Sequence, residues 1–163
     1  MKTKILIAIA LFISSFAMAQ NEEPDGYDVE GFCTGQRMNY KQFVAKFGKP
    51  DRYEVFGTGK EKGECYYIGL DYFHFEENGV FMDFVLESKR FAALTKYIKG
   101  GIRAGDKLSK LDNFKYGKPV EVKYGLPPEP GVLKYALFES SDCPIFLYVK
   151  AGVIITISYF EPL

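Results

Sequence analysis

Runs of alternating apolar and polar residues, rich in aromatic and β-branched side chains and punctuated by Gly and Pro, fill most of this chain. That pattern predicts strands over 52–56, 64–70, 71–77 and 80–87, and again over 120–124, 133–138, 145–150 and 153–160. Asn78-Gly79 lies between two such runs, the strongest short-range hairpin signal, and predicts a two-residue type I′ turn. Three segments depart from the strand period. Phe43, Val44 and Phe47 fall on one helical face, with Asn39 as cap, Gln42 three residues on to complete a capping box, and Gly48 and Pro50 to end the helix. Phe91, Leu94 and Ile98 at helical spacing predict a second helix over 88–99, stopped by Gly100-Gly101. A third helix is expected after a capping Asp106, with Leu108, Leu111 and Phe114 turned inward. Leu126 to Gly131, with three prolines, reads as a stiff loop or edge connection.

The order of these elements repeats. Gly48-Lys49-Pro50 returns 69 residues later as Gly117-Lys118-Pro119, each after a helical stretch and before strands. The two late hairpins superpose at a shift of 73, Gly79 on Gly152, Phe75 on Tyr148 and Phe84 on Ile157. The expectation is an α+β chain of two tandem repeats, each a short helical segment packed on an antiparallel three- to four-stranded sheet. Its parts are a signal peptide over 1–19, a flexible leader over 20–37, a first repeat over 38–99 and a second over 100–163.

The leading segment has its own pattern. Lys2 and Lys4 precede nine apolar residues from Ile5 to Ile13, and Ala17-Met18-Ala19 supplies a small-residue cleavage site ahead of Gln20. Nine residues fall well short of the roughly 20 needed to span a bilayer, and no later run is longer. Cleavage removes 19 of 163 residues and two of 21 basic ones against 21 acidic, leaving a net charge near −2. The expected product is exported, periplasmic or extracellular, soluble and without a transmembrane segment. Its lysines are interleaved with Asp and Glu, so a nucleic-acid partner is not expected.

The helix, the Gly-x-Pro motif and a hairpin of the form Phe75-Glu76-Glu77-Asn78-Gly79-Val80 resemble the repeat of the β-lactamase inhibitory protein-like fold, a unit also found in small outer-membrane assembly lipoproteins. Gly100-Gly101-Ile102-Arg103-Ala104-Gly105-Asp106 looks like that repeat's opening. The likeness covers about 38 to 163. It implies that each unit packs its helix on one sheet face and leaves the other as a concave binding surface.

A two-residue turn at Asn78-Gly79 sets Phe75 opposite Met82, His74 opposite Asp83 and Phe73 opposite Phe84. Phe73, Phe75, Met82 and Phe84 then form the core face, and Tyr72, His74, Glu76, Phe81, Asp83 and Val85 the other. In the second hairpin Phe146, Tyr148, Ile155 and Ile157 match the core face. Ile145, Leu147, Val149, Ile154, Thr156 and Ser158 match the other. A sheet apolar on both sides is covered on both, by the rest of the chain or by a partner. The candidate binding residues are Tyr66, Tyr67, Tyr72, His74, Phe81, Asp83, Val85, Leu147, Ile154 and Thr156, with tyrosine favoured as an interface residue.

Chemistry beyond binding has little support. His74 is the only histidine, too few for a zinc set. No phosphate loop, nucleophile elbow or calcium loop is present, so no cofactor or metal is expected. Cys65, His74 and Asp83 form the one set that a thiol enzyme would use. Cys33, Cys65 and Cys143 allow one disulfide in an oxidising compartment, by any of three pairings, or none. The expected role is a non-catalytic module that binds a protein or envelope component. Its alternatives are an inhibitor or accessory factor of a secreted enzyme, and a small thiol enzyme. Mass spectrometry of the chain expressed with its leader in a bacterium tests export: the account expects a periplasmic or secreted species beginning at Gln20, and a cell-retained chain still carrying Lys2 and Lys4 contradicts it.

Overall fold

A computed structural model describes residues 26–57, 62–124, 129–139 and 141–160. The expected signal peptide lies outside them. The chain begins with a short antiparallel hairpin, β1 (Asp28–Val29) and β2 (Phe32–Cys33), followed by helix α1 (Tyr40–Phe47). Four strands follow: β3 (Arg52–Phe56), β4 (Gly63–Ile68), β5 (Asp71–Glu76) and β6 (Phe81–Leu86). The second half holds a 3₁₀ turn over Leu108–Leu111, then β7 (Val120–Glu121), β8 (Val132–Leu137), β9 (Ile145–Lys150) and β10 (Val153–Tyr159).

Strands β3 to β10 form one antiparallel sheet of eight, in the order β3-β4-β5-β6-β10-β9-β8-β7. Each half supplies a four-stranded meander, and the two join where β10 pairs with β6 through Ile157↔Leu86, Ser158↔Val85 and Tyr159↔Phe84. The expected pair of helix-plus-sheet repeats is therefore corrected. The described residues contain a single α-helix, and the sheet is continuous rather than divided.

Helix α1 forms as its cap predicts. The Asn39 side chain accepts from Gln42 N, and the Gln42 side chain accepts from Asn39 N, each at 2.9 Å. Its buried face presents Phe43 and Phe47. Phe43 meets Tyr66, Phe73 and Phe75 with ring centroids 4.6, 5.4 and 5.8 Å apart, and Phe47 meets Phe73 and Phe91. Burial of each such ring stabilises the fold by roughly 1.5–3 kcal/mol. The same sheet face continues through Phe84, Tyr159, Ile157, Leu147 and Ile145, where Leu94, Ile102, Leu111 and Phe138 join the core.

The segment 88–99 is not a helix. Its backbone is claimed by other partners. The Asp71 carboxylate accepts from Glu87 N and Ser88 N at 2.8 and 2.9 Å, and from the Ser88 hydroxyl. Asp28, fully buried, accepts from Gly31 N, Thr95 N, Lys96 N and the Thr95 hydroxyl. Ala93 bridges to both Val29 and Ile102, and Leu94 adopts φ +59°. The residues expected to form a flexible leader are thus partly built into the core, with Tyr27, Asp28 and Val29 buried. Asp106 does not cap a helix; it accepts from Arg103 N and pairs with Lys110.

Both hairpins depart from the expected register, and each departure moves side chains between faces. At Asn78-Gly79 the loop has three residues. Gly79 N donates to Glu76 O and Glu76 N to Val80 O, and Gly79 alone has positive φ. Gly79 also abuts Met38, whose carbonyl oxygen would lie 2.7 Å from a Cβ there. A bulge then restores the pairing. His74↔Asp83 and Phe73↔Phe84 stand as expected, while Phe75 pairs with Phe81 instead of Met82. The two-residue turn with two positive φ angles occurs instead at Ala151 (+50°) and Gly152 (+76°). A second bulge, at Ile155, follows it.

Removing the Asp28 carboxylate leaves four donors without their acceptor. Asp28→Ala is expected to cost at least about 2 kcal/mol, against about 1 kcal/mol for loss of the exposed helix cap in Asn39→Ala. Urea denaturation of both variants measures the difference, and an equal or smaller loss for Asp28→Ala contradicts the anchoring role.

Candidate functional site

The sheet has one face packed under helix α1 and an opposite one, called the open face, on which no described helix lies although Cys65, Asp83, Lys134 and Ser158 on it are buried. Helix α1 and the residues that join it in the core pack on the first. The second carries Tyr67, Tyr72, His74, Asp83, Val85 and Thr156 among the expected binding residues, and no described helix lies on it. The other four belong elsewhere. Tyr66 is buried against Phe43 and Tyr53, with its hydroxyl donating to Glu64 at 2.5 Å. Phe81, Leu147 and Ile154 are fully buried in the core. Phe81 was displaced by the first bulge. Leu147 and Ile154 were displaced by the second bulge, which sets Leu147 rather than Phe146 opposite Ile157 and Ile154 opposite the buried Val149. Phe146 and Tyr148, expected in the core, lie half-buried on the open face.

A row of polar groups crosses the open face at adjacent register positions, Cys65↔His74↔Asp83. His74 Nδ1 donates to Asp83 Oδ2 at 2.6 Å, in a pair only 13% and 10% exposed. Asp83 Oδ1 is buried and makes no hydrogen bond. The other ring nitrogen leans along β4, where a Cβ at Gly63 would lie 2.9 Å from Nε2. The Phe56 ring packs on the imidazole at 4.8 Å, so Gly63 leaves room for both rings. The Cys65 thiol instead bonds the Tyr72 hydroxyl at 3.3 Å. Burial pushes the thiol pKa up, outweighing the lowering by that bond. Burial and the thiol contact also hold the Tyr72 hydroxyl well above its usual range. Burial thus holds Cys65 protonated and its hydrogen bond goes to Tyr72, whereas an activated thiol nucleophile has a lowered pKa.

Of the two alternatives for the cysteines, one disulfide or none, the structure has none. Cys33 and Cys65 are buried free thiols, and every pairing of three cysteines needs one of them.

The far half of the open face contains features the sequence reading passed over. Lys134 is 7% exposed in β8. Its ammonium lies 4.0 Å from the Phe146 ring centroid, 5.4 Å from Tyr124 and 6.0 Å from Tyr148, and donates to Tyr124 O at 3.3 Å. Burial lowers its pKa. The available signal was a lysine alternating with Val132 and Ala136 in a strand bounded by apolar residues. Beside it, a groove of about 440 Å³ runs between β6, β10 and β9, floored by Ser158 and walled by Val85, Tyr148 and Ile155. The edge next to His74 is a ladder of exposed groups, with Arg52 stacked 3.7 Å from the Tyr67 ring centroid and the Tyr67 hydroxyl donating to Glu54.

Among the described residues no group of three or more His, Cys, Asp or Glu side chains is placed to hold a metal ion. No described helix is long and apolar enough to cross a membrane. Comparison with protein-family models, curated proteins and solved structures returned no match to this chain.

The raised pKa of Cys65 has a kinetic consequence. At neutral pH the folded chain is expected to alkylate at Cys65 at least about tenfold more slowly than the urea-unfolded chain, with the rate rising steadily toward alkaline pH. Iodoacetamide labelling followed by peptide mapping measures it. Rapid neutral-pH labelling of Cys65 in the folded chain contradicts this reading and favours an activated nucleophile.

Proposed function

We propose that this chain is an exported, non-catalytic binding module whose open sheet face receives a protein or envelope partner. The observation that carries the reading is the two-sided character of the sheet. Its helix-side face is filled by the chain's own aromatic core. Its other face keeps Val85, Tyr72, Phe146 and Tyr148 half-buried and Phe56, Tyr124, Ile155 and Phe160 exposed. Apolar surface of this kind, laid on a rigid sheet and interspersed with polar groups, fits a docking surface better than a solvated one.

The likeness to the β-lactamase inhibitory protein-like fold enters here on the strand plan. Each half contributes a four-stranded meander and the two lie side by side, while the presence of one α-helix rather than two among the described residues counts against it. Export rests on the leading sequence alone. The inhibitor reading is a special case of the same face with an enzyme as its partner. The thiol-enzyme reading has the geometry of Cys65 against it.

Photo-crosslinking residues placed at Val85 and Thr156, on the open face, and at Lys41, on the exposed side of α1, test the proposal in cells of the source organism. The open-face positions are expected to yield one common adduct that disappears when Tyr148→Asp is added, while Lys41 yields none. Equal adducts from all three positions, or an adduct unaffected by Tyr148→Asp, overturn it.

A further inference from the structure

The margin of the sheet at β3 is an unfinished ladder. Arg52 to Phe56 pair with β4 on one side only, in a register without a bulge. The next strand shows which of their main-chain groups are left over. Glu77 N donates to Lys62 O, in register with Gly63↔Glu76. Lys62, Glu64, Tyr66 and Ile68 therefore turn their main chain to β5, and Gly63, Cys65 and Tyr67 turn theirs to β3. The bond from Asp51 N to Tyr67 O agrees. Arg52, Glu54 and Phe56, opposite those three, are thus the β3 residues bonded to β4. Tyr53 and Val55 point their N–H and C=O groups outward, where no described strand meets them.

Native sheets blunt such an edge with shortness, proline, lysine or a bulge. The opposite margin, β7, has two residues. Strand β3 has five, all exposed, with no proline, lysine or bulge among them. Tyr53, Val55 and Phe56 are each exposed by 42 to 49%. The charges on the strand select its occupant. Arg52 and Glu54 flank Tyr53 on the open face and form an exposed ion pair at 3.5 Å. Consider a second β3 laid antiparallel about a two-fold axis at Tyr53. Tyr53 then meets Tyr53 of the other copy, Arg52 meets its Glu54, and Glu54 meets its Arg52. The tyrosines exchange two main-chain bonds through the groups left free. The charge pairs occupy the positions between, where opposed side chains come closest. The neighbouring register, Tyr53 opposite Val55, sets Glu54 against Glu54 and is disfavoured.

We infer that β3 pairs with β3 of a second copy of this chain, joining two eight-stranded sheets into one. The two-fold axis closes the contact, so assembly stops at two chains. The contact is small, in the class of weak interfaces that bury less than about 1,200 Å², so dimerisation needs concentrated protein. The inference does not rest on the open-face proposal, because it uses main-chain groups at the margin and does not involve Val85 or Thr156.

Sedimentation of the purified mature chain between about 1 µM and about 1 mM, the span of weak association, tests it. The mass is expected to rise from one chain to two and stop. Exchange of the Tyr53 amide is expected to slow at least about fivefold in concentrated protein, while the Arg52 and Glu54 amides, already bonded to β4, stay unchanged. Arg52→Glu and Glu54→Arg are each expected to weaken the dimer at least about tenfold, since like charges then face each other twice. An equimolar mixture of the two variants sets opposite charges together again and is expected to restore the dimer. Both positions are exposed, and an unchanged Tm in dilute solution checks that each variant folds.

A chain that stays monomeric, a mass that climbs past two, a dimer indifferent to both charge reversals, or variants whose mixture stays apart overturns the inference. A monomer whose Tyr53 amide is protected even when dilute has that edge occupied by its own chain, which overturns it too. None of these outcomes touches the crosslinks expected at Val85 and Thr156, and loss of those crosslinks leaves the dimer standing.

Discussion

Pairing of β6 with β10 is the contact on which the molecule's architecture depends. Only three residue pairs make it, yet each has a consequence on one side of the sheet or the other. Leu86↔Ile157 and Phe84↔Tyr159 point to the core and fuse the two meanders' apolar faces into one, so that the aromatic cluster under α1 runs on into the aliphatic residues of β9 and β10. Val85↔Ser158 points the other way and forms the floor of the groove. A four-stranded meander alone exposes a long edge, which invites association with other strands. Joining two removes one edge from each and leaves only β3 and the two-residue β7 at the margins.

The unequal covering of the two faces follows from where the connecting segments are anchored. Buried carboxylates hold them on the core side. Asp28 binds the turn around Thr95, and Asp71 binds the start of the same segment at Glu87 and Ser88. A buried carboxylate is tolerated only when its hydrogen bonds are met, and here several main-chain donors meet them. The chain therefore spends its long connection between β6 and β7 on one side of the sheet. The opposite side keeps its own partly exposed mixture of rings and polar groups, which the proposed function puts to use.

Much of the local structure was legible. The boundaries of α1 followed from Asn39, Gln42 and Gly48, because a capping box is a short-range arrangement that three residues specify. Strands β3 and β9 ran over the expected residues, and the His74–Asp83 pair stood as inferred. What escaped was long-range or rested on a single residue. The segment 88–99 has helical spacing, but Asp28 and Asp71 lie far from it in sequence and draw its amides away. The Asn78-Gly79 turn took three residues, with Met38 N donating to Gly79 O across it, a contact that the local sequence does not announce. Strands β9 and β10 are apolar on both sides, and the second bulge set Leu147 rather than Phe146 opposite Ile157. Of the candidate site, Tyr72, His74, Asp83, Val85 and Thr156 were legible by alternation, while Tyr67 was chosen only as a tyrosine, together with its neighbour Tyr66, which faces the core. Lys134 and the groove residue Glu129 were not, since their neighbours come from other strands.

Amide hydrogen exchange across the seam tests the continuous sheet most directly. The account predicts that the β6 and β10 amides bonded across the seam exchange as slowly as those inside the β4–β5 pair, and that both meanders open together in one global event. Fast exchange at the seam while both meanders stay protected would mean two sheets that merely touch, and would remove the floor on which the binding face is built.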